Sequence, residues 1–297
     1  MNLLTTALVY FHEVSRTGSI SEAALAQHVS PSAISRQISQ LEAAVGTKLF
    51  ERQPRGMSLT DAGLLLLSFT RRAESEGAAL IERLATFQSL SSTVIKIVSS
   101  EGLARYKVPA AIAAVCAKFD GVSFKLDVMP SEEATRRVVD GDVDVGVVFT
   151  SGLDRGVLVE HSVPMPVYAA VSVDHPLADK QTITLAELCQ CKLALPDRGV
   201  SQRDLFDLAV QVEQLNPEIV LICDQVNPIL EFARSGVGAT LVSRAVVPRG
   251  SDEGLALITI DHPAFQRREG QIQTMPGRTQ SPLLTVFISE MTAHLAG

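Results

Sequence analysis

The feature that most constrains this chain is a change of hydrophobic period near residue 91. Up to that point apolar residues recur every three or four positions, the spacing of helices that bury one face. Beyond Ser91-Ser92, short β-branched runs alternate with helical stretches. The two patterns call for two cores, and 297 residues is about twice the ~100 to 150 of a usual single domain. A helical N-terminal part followed by a larger α/β part is the first expectation.

In the N-terminal part, Leu4, Leu8, Phe11 and Val14 share one helical face, and Thr17-Gly18 ends the pattern. Ser19 and Ser21 suit the cap of a short second helix, in which Ala23, Ala24 and Leu25 form a small packing surface. Ser30 followed by Pro31 is the pairing of cap and first helical residue that opens a third helix. Along it Ile34, Ile38, Leu41 and Val45 must face a core, which turns Ser32, Ser35, Arg36 and Ser39 outward. Small hydroxyls that allow close approach, with one arginine able to bond a guanine edge or a phosphate, are the chemistry a DNA major groove accepts. Lys48 to Phe50 and Met57 to Leu59 then read as two short strands around the turn Glu51 to Gly56, a wing carrying Arg52 and Arg55.

The formal net charge of -7 would argue against an anionic partner if it were spread evenly. It is not: the first ninety residues hold eight Lys and Arg against eight Asp and Glu, so the whole acidic excess lies beyond them. Phosphate attraction depends on local charge, which leaves room for a basic face here. Thr60 and Asp61 suit the cap of a long proline-free helix reaching about Ser89. Positions 66, 70, 73, 77, 80, 84 and 87 read Leu, Thr, Ala, Gly, Leu, Leu and Phe, a seam with a small centre.

These residues carry a resemblance. Phe11, Val14, Gly18-Ser19, Ala23-Ala24, Ser30, Ala33, Ser35-Arg36-Gln37-Ile38, Leu41-Glu42, Gly46, Leu49-Phe50-Glu51-Arg52, Leu59-Thr60 and Ala62-Gly63 resemble, in register, the N-terminal signature of LysR-type transcription regulators. The resemblance implies a winged helix-turn-helix domain over 1–60 with its helix-turn-helix at 21–40, and DNA contacts from Pro31, Ser32, Ser35, Arg36, Arg52 and Arg55. It also implies a linker helix over 61–90 that pairs with its copy in a homodimer, an inverted-repeat operator of double-stranded DNA, and assembly to a homotetramer.

The remainder is similar to the effector domain of the same regulators, a two-lobed α/β fold like that of periplasmic binding proteins. Gly141-Asp142-Val143-Asp144-Val145-Gly146, His175-Pro176-Leu177 and Ser235-Gly236-Val237-Gly238 carry this second likeness. Strands are expected at 94–98, 124–128, 143–149, 167–173, 192–195, 219–223, 239–242 and 270–274. Lobe one is placed at 91–163 with 267–297, and lobe two at 164–266. Ligands of open α/β sheets sit beyond the carboxyl ends of the strands. That rule selects the loops 99–102, 129–131, 149–151, 196–201 and 224–227, in which Ser100, Ser131, Thr150, Ser201 and Asn227 offer hydroxyl or amide bonds and Arg198 a cation. Convergent N–H groups with one arginine favour a small anion or carboxylate, while Asp224 leaves an amine or amino acid open.

No nucleophile with its base, metal-ligand spacing or phosphate loop is visible, so neither catalysis nor a cofactor is expected. Cys116, Cys189, Cys191 and Cys223 lack redox or zinc spacing. The absence of a secretory signal or an apolar run of ~20 residues points to the cytoplasm. A ligand-binding protein of periplasmic type, without a transcriptional role, is the alternative that the second part alone would permit.

Overall fold

The structure, a computed structural model, describes residues 5–53, 56–86, 94–150, 152, 156–247 and 254–296; at 52, 75, 76 and 78–86 only the backbone is described. Two compact units emerge, one built from the first ninety residues and one from most of the remainder.

The first unit contains α1 (Thr6–Thr17), α2 (Ile20–Ala26), α3 (Pro31–Val45), β1 (Phe50–Gln53), β2 (Gly56–Leu59) and α4 (Asp61–Thr86). Its core joins Phe11 and Val14 of α1, Ala23 and Ala24 of α2, Ile34 and Ile38 of α3, and Leu49, Phe50 and Leu67. Leu4 lies outside the described residues, and Leu25 is exposed instead of packing beside the two alanines. The caps follow the serines: Ser19 accepts from the Glu22 amide at 3.3 Å and Ser30 from the Ala33 amide at 3.2 Å.

The hairpin differs from expectation at both ends. Lys48 and Leu49 do not join the ladder, because the Glu42 carboxylate of α3 receives the amides of Leu49 (2.9 Å) and Phe50 (3.3 Å) and the Lys48 ammonium (2.6 Å). Glu51 and Arg52 belong to β1, with Arg52 opposite Met57, and not to a turn. Gly56 at φ 134° lets this ladder close against α1, where the Met57 amide donates to the Gly18 carbonyl at 2.8 Å.

The seam expected on the long helix also needs revision. Leu66 packs against the core of its own unit, and Thr70 is fully buried with its hydroxyl donating to the Leu67 carbonyl. Among the described residues, the large apolar side chains that α4 exposes are Leu64, Leu65 and Phe69. Side chains at 80 and 84, and Phe87, lie outside the description.

The second unit runs β3 (Val94–Ser99), α5 (Glu101–Ala104), α6 (Lys107–Cys116), β4 (Ser123–Val128), α7 (Ser131–Val139), β5 (Val145–Thr150), β6 (Leu158–Pro164), β7 (Tyr168–Ser172), β8 (Thr182–Ile183), α8 (Leu185–Leu188), β9 (Lys192–Pro196), α9 (Ser201–Val212), β10 (Glu218–Cys223), α10 (Val226–Arg234), β11 (Ala239–Val242), β12 (Leu255–Ile260), α11 (Pro263–Gln266), β13 (Glu269–Thr274) and α12 (Pro282–Ala296). Two sheets result, ordered β4-β3-β5-β13-β6 and β10-β9-β11-β7-β12-β8. Both are covered on two faces. In the first sheet, Ile97, Val145 and Ile272 meet Val108, Phe287 and Met291, while Val98 and Val148 meet Ala134 and Val138 of α7. In the second, Ala169, Leu195 and Ile258 meet Phe206 and Phe265, and Ala170 and Val242 meet Leu230 of α10.

The chain passes from one sheet to the other after β6 and returns before β13. The two crossing segments hold each other through the amides of Met165 and Val167, which donate to Arg268 and Phe265 carbonyls at 2.8 and 2.9 Å. This is the two-lobed α/β architecture expected. Three strands, β6, β8 and β12, were not anticipated. The sequence of β6, Leu-Val-Glu-His-Ser-Val-Pro, is polar because it is the edge of its sheet, and β8 is only two residues long.

Candidate functional site

Two places in the molecule have the chemistry of a site. On α3, the buried pair Ile34 and Ile38 sets the helix rotation, and Pro31, Ser32, Arg36, Ser39 and Gln40 are exposed. Ser32 lies 2.9 Å from the cap hydroxyl of Ser30. Arg36 makes no ion pair or hydrogen bond among the described residues. Ser35 is only half-buried and borders a small hollow with Ile20, Ser39, Lys48 and Met57, so it faces the hairpin side more than the open face. The Arg52 side chain and all of Arg55 lie outside the description. Gln40, exposed one turn after Arg36, is the residue that sequence reasoning passed over.

Glu42 anchors this arrangement from behind. Burial works against its charge, yet the Lys48 ammonium and the Leu49 and Phe50 amides outweigh burial and hold its carboxyl below the usual range. It is thereby an ionised brace between α3 and the hairpin.

The second place is a cavity of about 520 Å³ between the two sheets of the larger unit. Strands β3, β4 and β5 run parallel, as do β9, β10 and β11, so the loops after β3, β4, β9 and β10 converge there with the end of β5. Its walls include Ser100, Glu101, Met129, Ser131, Phe149, Asp197, Arg198, Ser201, Gln202, Asp224, Val226 and Val246. The lining is largely apolar with a few polar groups, the composition of a small-molecule pocket.

The six residues singled out from sequence fare unequally. Ser100 lines the cavity, but its hydroxyl already accepts from the Phe149 amide at 3.2 Å. Ser131 and Ser201 line both the cavity and a smaller adjoining hollow, and the buried Ser201 hydroxyl has no partner among the described residues. Thr150 borders only the hollow and closes a turn with Gly152, donating to its carbonyl at 3.0 Å and accepting from its amide at 3.2 Å. Asn227 is exposed and does not line the cavity, because α10 already begins at Val226 and turns the next side chain away. Ser151 lies outside the described residues. Arg198 lines the cavity with 86% of its side chain exposed, and its Nε is 3.5 Å from Asp207, whose other oxygen holds Arg203 at 2.7 Å.

Several wall residues were missed. Phe149 is held in place by Arg268, a fully buried arginine whose guanidinium lies 4.0 Å from the ring centroid. Arg268 also donates to Met165 O at 3.0 Å and Gln202 Oε1 at 3.1 Å. Burial pushes it down to about 9, so it remains a cation at neutral pH. Glu101 crosses the cavity: from α5 in lobe one, its Oε1 accepts from the amide of Val226, the first residue of α10 in lobe two, at 2.9 Å. The position of Glu101 after a strand end was legible, but a partner 125 residues away was not.

Among the described residues no group of His, Cys, Asp and Glu is arranged to hold a metal, and no helix is long and apolar enough to cross a membrane. No cysteine lines the cavity. Burial, with Glu213 nearby, pushes the Cys189 thiol up to about 11, and burial raises Cys191 too, the opposite of what a reactive thiolate requires.

Comparison with known proteins assigns the domains in which the two places lie. Residues 5–64 match the bacterial regulatory helix-turn-helix protein family of lysR type, and residues 88–296 match the LysR substrate binding domain. The HTH-type transcriptional regulator YybE of Bacillus subtilis (strain 168) is 24% identical over 97% of this chain and 98% of its own length. CysB of Burkholderia cenocepacia is 27% identical over 82% of this chain and 78% of its own. In fold, the chain is similar to HinK, a LysR family transcriptional regulator from Pseudomonas aeruginosa, with TM-score 0.58, 20% identity and 97% of each chain covered. It is also similar to full-length CbnR complexed with its target DNA, with TM-score 0.55, 21% identity, and 97% of this chain and 98% of that one covered. The chain belongs to the LysR family of transcription regulators, with a DNA-binding helix-turn-helix followed by an effector-binding α/β domain.

Proposed function

We propose that the protein reads an inverted-repeat operator through α3 and that a small molecule in the interlobe cavity alters this binding. The observation that carries the reading is Arg36, exposed and unpaired among the described residues on a face of short hydroxyl side chains. In this reading Pro31, Ser32, Ser35 and Arg36 approach base edges and backbone, and Arg52 and Arg55 contact phosphates from the hairpin. Residues 1–60 are the DNA-binding domain, 61–90 the linker and 91–297 the effector domain. Two copies pair through α4, and the exposed Leu64, Leu65 and Phe69 are the face with something to gain from pairing. Dimers further associate to tetramers. The protein works in the cytoplasm without catalytic activity.

The ligand biases the arrangement of the lobes, and this bias is the free energy that reaches the DNA. The test selects an operator from randomised DNA with the full-length protein and compares isotherms. Arg36→Ala should weaken binding about tenfold or more and relax the preference at one base position. Isotherms identical to wild type would refute the assignment. In sedimentation, Leu65→Glu with Phe69→Glu should shift the protein toward monomer; an unchanged oligomer would move the interface elsewhere.

A further inference from the structure

The chemical class of the ligand can be argued from the charges around the cavity, on the reading that this cavity is the effector site. Three carboxylates line it, those of Glu101, Asp197 and Asp224, and Glu132 and Asp204 border the adjoining hollow. Among the described residues one cation lines it, Arg198, and that cation is largely exposed and shares Asp207 with Arg203. Arg268 lies behind Phe149 and is not a wall residue. Of the helix starts at the cavity, that of α10 is already filled from within by the Glu101 carboxylate on the Val226 amide, and those of α7 and α9 carry Glu132 and Asp204 in their first turns. Arg198 and the start of α10 are thus both engaged inside the protein. A ligand carboxylate at the start of α10 would have to displace Glu101 and then sit two residues from Asp224.

Glu101 spends one oxygen on Val226, and its Oε2 has no partner among the described residues. The Ser201 hydroxyl is likewise without a partner. Met129, Phe149 and Val246 supply an apolar wall. We propose that the cleft takes a ligand that bears a protonated amine on an apolar body, with Glu101 and Asp224 receiving the ammonium and Met129, Phe149 and Val246 the body. Glu101 belongs to lobe one and Asp224 to lobe two. An ammonium bound by both carboxylates would draw the lobes together, so recognition and the conformational signal share one interaction.

The experiment uses full-length protein and probes of opposite charge on the same apolar body: 2-phenylethylamine against 3-phenylpropionate, and butylamine against pentanoate, by thermal shift and calorimetry. The amine of each pair should stabilise the protein and the carboxylate should not. Glu101→Gln keeps an oxygen for the Val226 amide while removing the charge, and should weaken the amines about tenfold. Asp224→Asn should weaken them by about threefold. Carboxylates that bind as well as the amines, and are lost in Met129→Trp, would overturn the amine class while leaving the cleft as the effector site. Amine binding indifferent to both Glu101→Gln and Met129→Trp would overturn the proposal and the cleft with it. So would a complete absence of amine-dependent stabilisation overturn the proposal, at probe concentrations of about 10 mM.

Discussion

The exposed face of α3 and the interlobe cleft are both recognition surfaces, yet they are assembled in opposite ways. Ser32, Arg36, Ser39 and Gln40 come from one helix, and their common direction follows from helical spacing once Ile34 and Ile38 are buried. The cleft gathers side chains from residue 100 to residue 246, in short groups near the ends of several elements. Its chemistry is then set by pairings within it, above all that of Glu101 with Val226 far along the chain, and that of Arg198 with Asp207. A local surface advertises its chemistry in order along the chain. An assembled one has a net character that depends on which of its charges are already engaged.

This contrast can be broken or sharpened by substitution, beginning with the largest effects. Gly63 and Gly238 are the close-approach glycines of the two units: a Cβ on Gly63 would lie 2.2 Å from the Leu49 carbonyl oxygen, and one on Gly238 would lie 2.0 Å from that of Lys192. Since backbone must move in both cases, Gly63→Ala and Gly238→Ala should each cost about 3 kcal/mol. Calorimetry should show the first lowering a transition of the DNA-binding unit and the second one of the effector unit. A single transition shifted equally by both would mean that the two surfaces do not rest on independent cores.

Glu42→Ala should follow, at about 2 kcal/mol near neutral pH, because it leaves the Leu49 and Phe50 amides without their acceptor. The folded carboxyl is held below its unfolded value, so its charge stabilises the fold above the unfolded carboxylate range near pH 4.5. That contribution is lost as pH falls through the lower folded value. Urea titrations of wild type and Glu42→Gln should therefore differ at pH 7 and converge in stronger acid. A difference that grows toward acid would give the wrong sign and remove the brace from the account.

The smallest effects separate candidates from wall residues. Asn227→Ala should leave ligand affinity within about twofold, since that side chain is turned to solvent, and Thr150→Val should act mainly by loosening its turn with Gly152. Calorimetry on an established ligand checks both. A tenfold loss from Asn227→Ala would place the ligand nearer the outer surface of α10 than the cavity suggests.

How legible the protein was follows the same division. The first three helices, their serine caps and most of their core were readable because periodicity and capping are local properties. Buried strands such as Val145–Thr150 were readable from β-branched runs, whereas the edge strand Leu158–Pro164 was hidden by its polar residues. Of the cleft, the loops could be chosen from strand ends, but Thr150 and Asn227 could not be told from Ser131 and Ser201, since each is a polar residue near a strand end.

By itself, the sequence determined that there are two cores, where the helices of the first begin and end, and that a short polar face with one arginine opens α3. Tertiary structure alone decided that Leu66 and Thr70 turn inward while Leu64, Leu65 and Phe69 stay exposed, and that the hairpin starts at Phe50, where Glu42 holds the Leu49 and Phe50 amides. It also decided the electrostatic character of the cleft. Periodicity fixes the direction of a side chain relative to its own helix, but whether a charge remains available depends on its nearest neighbour in space, which for Glu101 is 125 residues further along the chain.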